Sequence, residues 1–242
     1  MTPVHPELRG DHHVHSTFSD DAVSTLAENV AAAHEAGLAE LRLVDHVRRS
    51  TTWVPEFLAA VAALEVPDGL TVHTGVEAKI LDSTGLLDIP PDLTGIDRIL
   101  IADHQFPGVG EPWSPSTTIE RLTAGLTVDD ALDLLIGGLI GAMHRYPGNQ
   151  LAHCFSILPK VGLDEDRIGS ERLRAWAETA AATDTLVEVN EKWACPGPVA
   201  LAAARDAGAR LVASTDSHVA SDVGRYDAVV GLLGGLHRPQ GM

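Results

Sequence analysis

Asp11-His12-His13-Val14-His15-Ser16-Thr17-Phe18-Ser19-Asp20-Asp21 sets three imidazoles and three carboxylates in one short stretch near the amino end of the chain. If Leu8 to His15 runs as a strand, its side chains alternate between two faces. Asp11, His13 and His15 then share one face, and His12 and Val14 share the other. Neutral imidazole is a common ligand of transition metals, so His13 and His15 projecting together suit a cation. Asp20 or Asp21, from the loop that follows, would close its coordination sphere. Asp11 stands one step behind, where a carboxylate would accept the other ring N–H of His13 and fix its tautomer. An affinity-tag remnant would be a homopolymer run, whereas this stretch is interrupted by Val14 and followed by carboxylates. Short motifs of this kind also arise as satisfied core or surface histidines, so the positions of the other ligand-type residues decide.

Those positions depend on the elements that carry them. Helical patterns alternate with short β-branched runs along the whole chain, which predicts a parallel sheet with crossover helices. Helices are expected at Ala22 to Ala36, ended by Gly37, and at Val54 to Leu64, Glu171 to Ala182 and Pro198 to Ala207. A further, almost wholly apolar helix is capped by Thr127, Asp129 and Asp130 and runs to about Met143. Such a helix is either buried on more than one side or forms a dimer contact. Strands two to seven are expected at Glu40 to Val44, Leu70 to Val76, Arg98 to Ala102, Gln150 to Cys154, Leu186 to Val189 and Arg210 to Ser214. Leu81 to Gly95 and Phe106 to Ser116 read as long loops, the second at the mouth of the fold. Strict alternation, with no Gly-x-Gly-x-x-Gly turn, favours a single-domain α/β fold, a distorted (β/α)7 barrel of TIM-barrel type spanning residues 1–242, over an open dinucleotide-binding sheet.

With these strands, the residues able to bind metal recur where strands give way to loops. His13 and His15 end strand one, Asp45 and His46 strand two, and Glu77 follows strand three. His104 follows strand four, His153 lies near the end of strand five, Glu188 and Asn190 end strand six, and Asp216 and His218 follow strand seven. In a β/α barrel all these ends meet at one face, where catalytic groups collect. The repetition predicts a multinuclear metal site.

Composition narrows the partners. With 34 acidic against 17 basic residues, the surface repels phosphate backbones, so no nucleic-acid partner is expected. No charged-then-apolar leader opens the chain and no apolar run is long enough for a bilayer, which makes a cytoplasmic address, with no membrane partner, the expectation. Cys154 and Cys195, the only cysteines, offer no disulfide framework and read as small buried apolar residues. Cys154, beside His153, has the alternative of a weak extra ligand.

The motifs resemble those of the polymerase and histidinol phosphatase (PHP) superfamily over nearly the whole chain. DHHVHSTFSD resembles its Asp-x-His-x-His-(Thr/Ser) signature, and LVDH at Leu43 to His46 its Thr-Asp-His motif with Val in place of Thr. Gly75 to Glu77, His104, Ala152-His153, Glu188 to Asn190 and Thr215 to His218 follow in family order. The resemblance implies a distorted seven-stranded β/α barrel holding two or three divalent cations of zinc, manganese or iron. The implied ligands are His13, His15, Asp20, His46, Glu77, His104, His153, Asp216 and His218. Asp11, Asp45, Glu188 and Asn190 would stand behind them. Some members carry His where this chain has Asp20 or Asp21, which leaves the choice between those two open, and Cys154 replaces a common Pro.

The resemblance implies a phosphatase acting on a small phosphorylated metabolite, a phosphomonoester such as histidinol phosphate. Two cations sharing Glu77 would hold a hydroxide that attacks phosphorus, with Glu77, Asp216 and His218 as the catalytic groups. Lys160, Lys192, Arg48 and Arg225 are the substrate-binding candidates, with Arg49 beside them, each alternatively a solvated surface cation. Trp113 and Trp193 line the pocket or pack the core. The same site on a phosphodiester or an amide-like C–N bond is one alternative, and a non-catalytic module is another. A homodimer is compatible with the apolar helix.

Overall fold

The computed structural model describes residues 5–236. Seven parallel strands follow one another around a nearly closed barrel: β1 (Gly10–Val14), β2 (Glu40–Val47), β3 (Thr71–Lys79), β4 (Arg98–Ala102), β5 (Gln150–Ala152), β6 (Leu186–Asn190) and β7 (Leu211–Ser214). Each strand pairs with the next in sequence, as right-handed crossovers through helices favour. β2 and β3 pair in unbroken register from Glu40 with Thr71 to Val47 with Ala78, which sets His46 directly beside Glu77.

The seam between β1 and β7 is not a full ladder. It is closed by one bridge between Val14 and Ser217, by the His15 amide donating to the Ser217 carbonyl at 2.8 Å, and by Asp11. The Asp11 carboxylate accepts the Thr215 amide at 2.9 Å, the Thr215 hydroxyl at 2.6 Å and the Gly224 amide at 3.0 Å. Asp11 therefore latches the barrel shut and does not hold the His13 ring. The register between β1 and β2 shifts between Asp11 and Val14, which breaks the alternation that would have kept Asp11 on the face of His13 and His15.

The helices are α1 (Leu26–Glu35), α2 (Val54–Ala62), α3 (Pro115–Thr123), α4 (Val128–Arg145), α5 (Ser170–Ala182), α6 (Pro198–Asp206) and α7 (Ala228–Gly235). α1 begins at Leu26 and not at Ala22, because Thr25 and Glu28 form a capping box that fixes the first turn there. Within the expected loop Phe106 to Ser116, two short strands, Phe106–Pro107 and Pro112–Trp113, pair as a ribbon. α4 uses its apolar surface inside the chain. One side joins the main core through Leu132, Leu135 and Leu139, and another meets the loop after β3 and the ribbon. Gly138 and Gly141 let that loop and Pro107 close in: a Cβ on Gly141 would stand 2.4 Å from the Thr84 carbonyl oxygen. No helix among the described residues is long and apolar enough to cross a membrane.

Candidate metal centre

At the carboxyl ends of the strands, Glu77 is the hub. Its Oε1 lies 2.9 Å from Nε2 of His104 and 2.9 Å from Nε2 of His153. Its Oε2 lies 2.9 Å from Nδ1 of His46 and 3.4 Å from Nε2 of both His13 and His15. His13 Nε2 and His15 Nε2 are themselves 3.0 Å apart, and Asp216 Oδ1 is 3.4 Å from the latter. Nitrogens and oxygens bonded to one cation at about 2.0–2.1 Å stand about 2.9 Å apart in octahedral and about 3.3–3.5 Å apart in tetrahedral geometry, so these spacings suit a ligand shell. Three overlapping sets meet this pattern among the described residues: His13 with His15 and Asp216, His46 with Glu77 and His104, and His15 with His46 and His218.

The donors fit cations on a further ground. Glu77 is buried, and its Oε2 has no hydrogen-bond partner although it faces three imidazole nitrogens. A buried carboxylate oxygen without a donor is costly, and a shared cation is what this one lacks. Burial alone would raise the Glu77 carboxyl, but the imidazoles of His104 and His13 outweigh it and hold the group well below its ordinary range. Burial likewise disfavours a charged His13, yet Glu188 and Glu77 hold that ring well above its ordinary value. His15, where burial prevails, is pushed down to about 3 and stays neutral.

The supporting groups are equally specific. Glu188 accepts from His13 Nδ1 at 3.1 Å, so that Nε2, which faces Glu77 and His15, is the nitrogen that would give up its proton and present a lone pair to a cation. Glu188 is held by Gln150 Nε2 at 2.9 Å and Asn190 Nδ2 at 2.6 Å. Asp45 takes the amide and hydroxyl of Ser16, at 2.9 and 2.6 Å, and so fixes the loop after β1 rather than a ring. The His15 ring finds Ser19 Oγ at 3.3 Å, and the same hydroxyl accepts the His46 amide. Burial pushes Asp45 up to about 6 against its hydrogen bonds.

Of the residues expected at the centre, His13, His15, His46, Glu77, His104, His153, Asp216 and His218 converge. Asp20 lines the adjoining cleft, but the carboxylate that reaches ring nitrogens is Asp21, with Oδ2 at 3.4 Å from His46 Nε2 and 3.3 Å from His218 Nε2. Lys192 Nζ is 3.6 Å from Asp216 Oδ2 and 3.3 Å from His218 Nδ1. Trp193 donates Nε1 to Asp216 Oδ2 at 3.0 Å, and Lys160 Nζ stands 4.0 Å from the centre of its ring. Arg48 lines the cleft beside His46. Arg225 does not join them: it lines a cleft against α1 with Ala32 and Gly224. The Arg49 amide donates to Asp88. Trp113 is buried against Phe106, and Cys154 and Cys195 are buried outside all three ligand sets.

Several residues at the centre escaped the sequence. Asp103 is fully buried, accepts the Phe155 amide at 2.8 Å and the Ser156 hydroxyl at 3.1 Å, and lies 3.5 Å from His153 Nδ1. It steadies a strained turn in which His153 and Phe155 have φ of 29° and 74°. Its place directly before His104, like Asp45 before His46, was the available signal. Lys79 and Gln105 line the cleft with nothing in their spacing to mark them.

This arrangement can be set beside known proteins. A family model described as PHP domain matches residues 11–192. A probable phosphatase of Caldanaerobacter subterraneus subsp. tengcongensis is 26% identical over 95% of this chain and 84% of its own. One of Shewanella piezotolerans is 28% identical over 95% and 85%. Histidinol phosphate phosphatase from Lactococcus lactis subsp. lactis, solved with zinc, L-histidinol and phosphate, superposes with a TM-score of 0.66 over 94% of this chain and 92% of its own, at 16% identity. The family match begins at Asp11 and takes in every ligand-bearing strand end from β1 to β6, and on that ground the chain belongs to the PHP domain family.

Proposed function

We propose that this protein is a metal-dependent phosphatase that hydrolyses a small phosphomonoester, of the histidinol phosphate kind. The observation that carries the reading is the set of imidazoles closing on the two oxygens of buried Glu77, two of them on Oε1 and three on Oε2. The relatives named as probable phosphatases and the fold shared with a histidinol phosphate phosphatase support the same chemistry. Divalent cations held by His13, His15, Asp21, His46, Glu77, His104, His153, Asp216 and His218 would supply Lewis acidity and a water of lowered pKa.

The chain's own groups do the rest. Lys160, lying over Trp193, and Lys192, beside Asp216, offer two ammonium groups at one rim of the centre, where the oxygens of a phosphoryl group would need compensation. Trp193 restrains Asp216 through its indole N–H, and its ring keeps Lys160 from turning away. On the opposite rim, the cleft of about 270 Å³ lined by Arg48, Lys79, Asp88 and Gln105 has room for a small leaving group. Asp88 beside two cations supplies hydrogen-bonding variety for a polar alcohol. His218 is 20% exposed and its Nδ1 lies 3.3 Å from Lys192 Nζ, which suits it to pass a proton to the departing alkoxide when it is not ligating.

The test is release of phosphate from a panel of metabolite monoesters, with diesters and amides assayed on the same preparation loaded with zinc or manganese. Monoester turnover that disappears in Glu77→Ala supports the reading. Turnover confined to diesters or amides, or equal in the variant, removes it.

A further inference from the structure

At the amino-terminal end of the barrel, opposite the metal centre, lies a second cavity of about 720 Å³. Arg9, Arg42, Arg98, Arg205 and Arg210 line it, five of the 17 basic residues of a chain that carries 34 acidic ones. Glu7 and Glu40 line it too, Arg210 is paired with Asp184 at 2.8 Å, and Asp97 lies 4.0 Å from His73 at the rim. Arg42 and Arg98, left without a carboxylate in ion-pair contact among the described residues, are the guanidiniums there that can draw a small anion.

Arg42 is the deepest of these groups. The alternation that aims His46 at Glu77 also turns Val44 and Arg42 inward, and Arg42 lies one layer below the apolar plug of Val44, Leu100, Ala102 and Ala152. The side chain is 4% exposed; Nη1 donates to the Thr74 carbonyl at 3.1 Å, and Nε has no partner. Arg98 Nη1 donates to the carbonyls of Gly148 and Asn149, and Arg205 Nη1 to that of Leu236. Carbonyls orient a guanidinium without neutralising it, and neither Arg42 nor Arg98 has an ion-pair partner among the described residues. Burial, with repulsion from Arg98, lowers Arg42 to about 10, which leaves it charged at neutral pH.

Two more buried atoms at this mouth lack partners. His12 Nδ1 is one, and Glu7 Oε2 is the other. Nearby, Glu40 Oε2 lies 4.0 Å from His12 Nε2 and 3.8 Å from His73 Nε2, and it acts on Arg42 through space without an ion-pair contact. The unpartnered set asks for an occupant rich in acceptor oxygens that also carries one donor. A singly protonated phosphate, or a phosphomonoester in that state, has both.

We propose that the amino-terminal mouth of the barrel is a second binding site, for a tetrahedral oxyanion of the phosphate class, anchored by Arg42 and Arg98. It uses none of the metal-centre residues. The site is preorganised, because carbonyl partners already hold the guanidiniums in place, so an anion pays little to order them.

The test follows the His73 ring, which reports on this mouth alone, by NMR of histidine-labelled, metal-loaded protein titrated with inorganic phosphate. Glycerol 2-phosphate in a parallel series separates the free ion from an esterified one. The expected result is a saturable His73 shift in the wild type, kept in Glu77→Gln, with affinity weakened about tenfold or more in Arg42→Met and Arg98→Met, the loss of one charge-assisted hydrogen bond. Circular dichroism checks the fold; should Arg42→Met not fold, Arg98→Met decides. No saturable shift in the wild type, a shift lost in Glu77→Gln, or one unchanged in Arg98→Met overturns the site.

Discussion

Replacing Glu188 by Gln separates a group that tunes the metal centre from one that merely fills space. Glu188 is wholly buried and its two oxygens meet four donors: His13 Nδ1, Gln150 Nε2, Asn190 Nδ2 and the His153 amide. In Glu188→Gln the shape is kept, but the charge goes, and one oxygen becomes an NH2 that confronts at least one of those donors. His13 then loses the carboxylate that orients its ring and makes its Nε2 more basic. Loss of such a partner behind a ligand weakens metal binding or activity about 10–100-fold. That range is about 1.4–2.7 kcal/mol. The assay is competition with a chelator of known affinity, run beside Asp11→Asn. Asp11 is as buried, but its partners are Thr215 and Gly224 at the barrel seam. Asp11→Asn should cost about 1–3 kcal/mol of folding stability with much less change in metal affinity. Equal metal affinity in Glu188→Gln and wild type, or a greater loss in Asp11→Asn, would refute the assignment of these two carboxylates.

Three other perturbations probe different parts of the account. Lys160→Met, with Trp193 intact, should raise KM for a monoester by about tenfold or more, from the loss of one charge-assisted contact, and change kcat less, as steady-state kinetics would show. Loading the metal-free protein with zinc near neutral pH should release protons, because Glu188 and Glu77 outweigh burial to hold His13 above its usual value, Asp103 with Glu77 does so for His153, up to about 10, and Glu77 does so for His46. A raised imidazole is protonated below its folded pKa, so metal affinity should climb as pH rises toward that value; calorimetry in buffers of different ionisation enthalpy counts the protons, and a count of zero contradicts the coupling. Gly85→Ala should destabilise the fold by about 2–5 kcal/mol in a denaturant melt, since it combines a left-handed backbone with an overpacked contact. Gly85 has φ of +81° and a Cβ there would stand 2.0 Å from the Ala142 amide nitrogen.

What the sequence made legible was periodic or local. β4 runs from Arg98 to Ala102, where its β-branched pattern set it, and the ligand-type residues at strand ends met because parallel strands in a barrel must end together. What stayed hidden depended on contacts between distant segments. α7 carries Gly231, Gly234 and Gly235 and has little helix propensity; its first turn is fixed by Glu191, whose carboxylate accepts the amides of Asp227, Ala228 and Val229. The irregular register in β1 moved Asp11 from the centre to the seam, and no spacing rule foretells a bulge. Asp20 and Asp21 are adjacent in a loop, where period-two reasoning cannot say which side chain turns inward. Arg225 follows a ligand motif in sequence, but the short helix Ala220–Asp222 intervenes and carries it to α1.

Buried Glu77, on the reading proposed above, is shared between cations gripped by histidines from separate strands. Anomalous diffraction from crystals of the purified protein, recorded on either side of the zinc, iron and manganese edges, addresses it directly. At least two peaks should flank the Glu77 carboxylate, within about 2.0–2.2 Å of nitrogens from His13, His15, His46, His104 or His153. A map with no peak there after loading with each metal, or with peaks bound only by surface carboxylates, would contradict it.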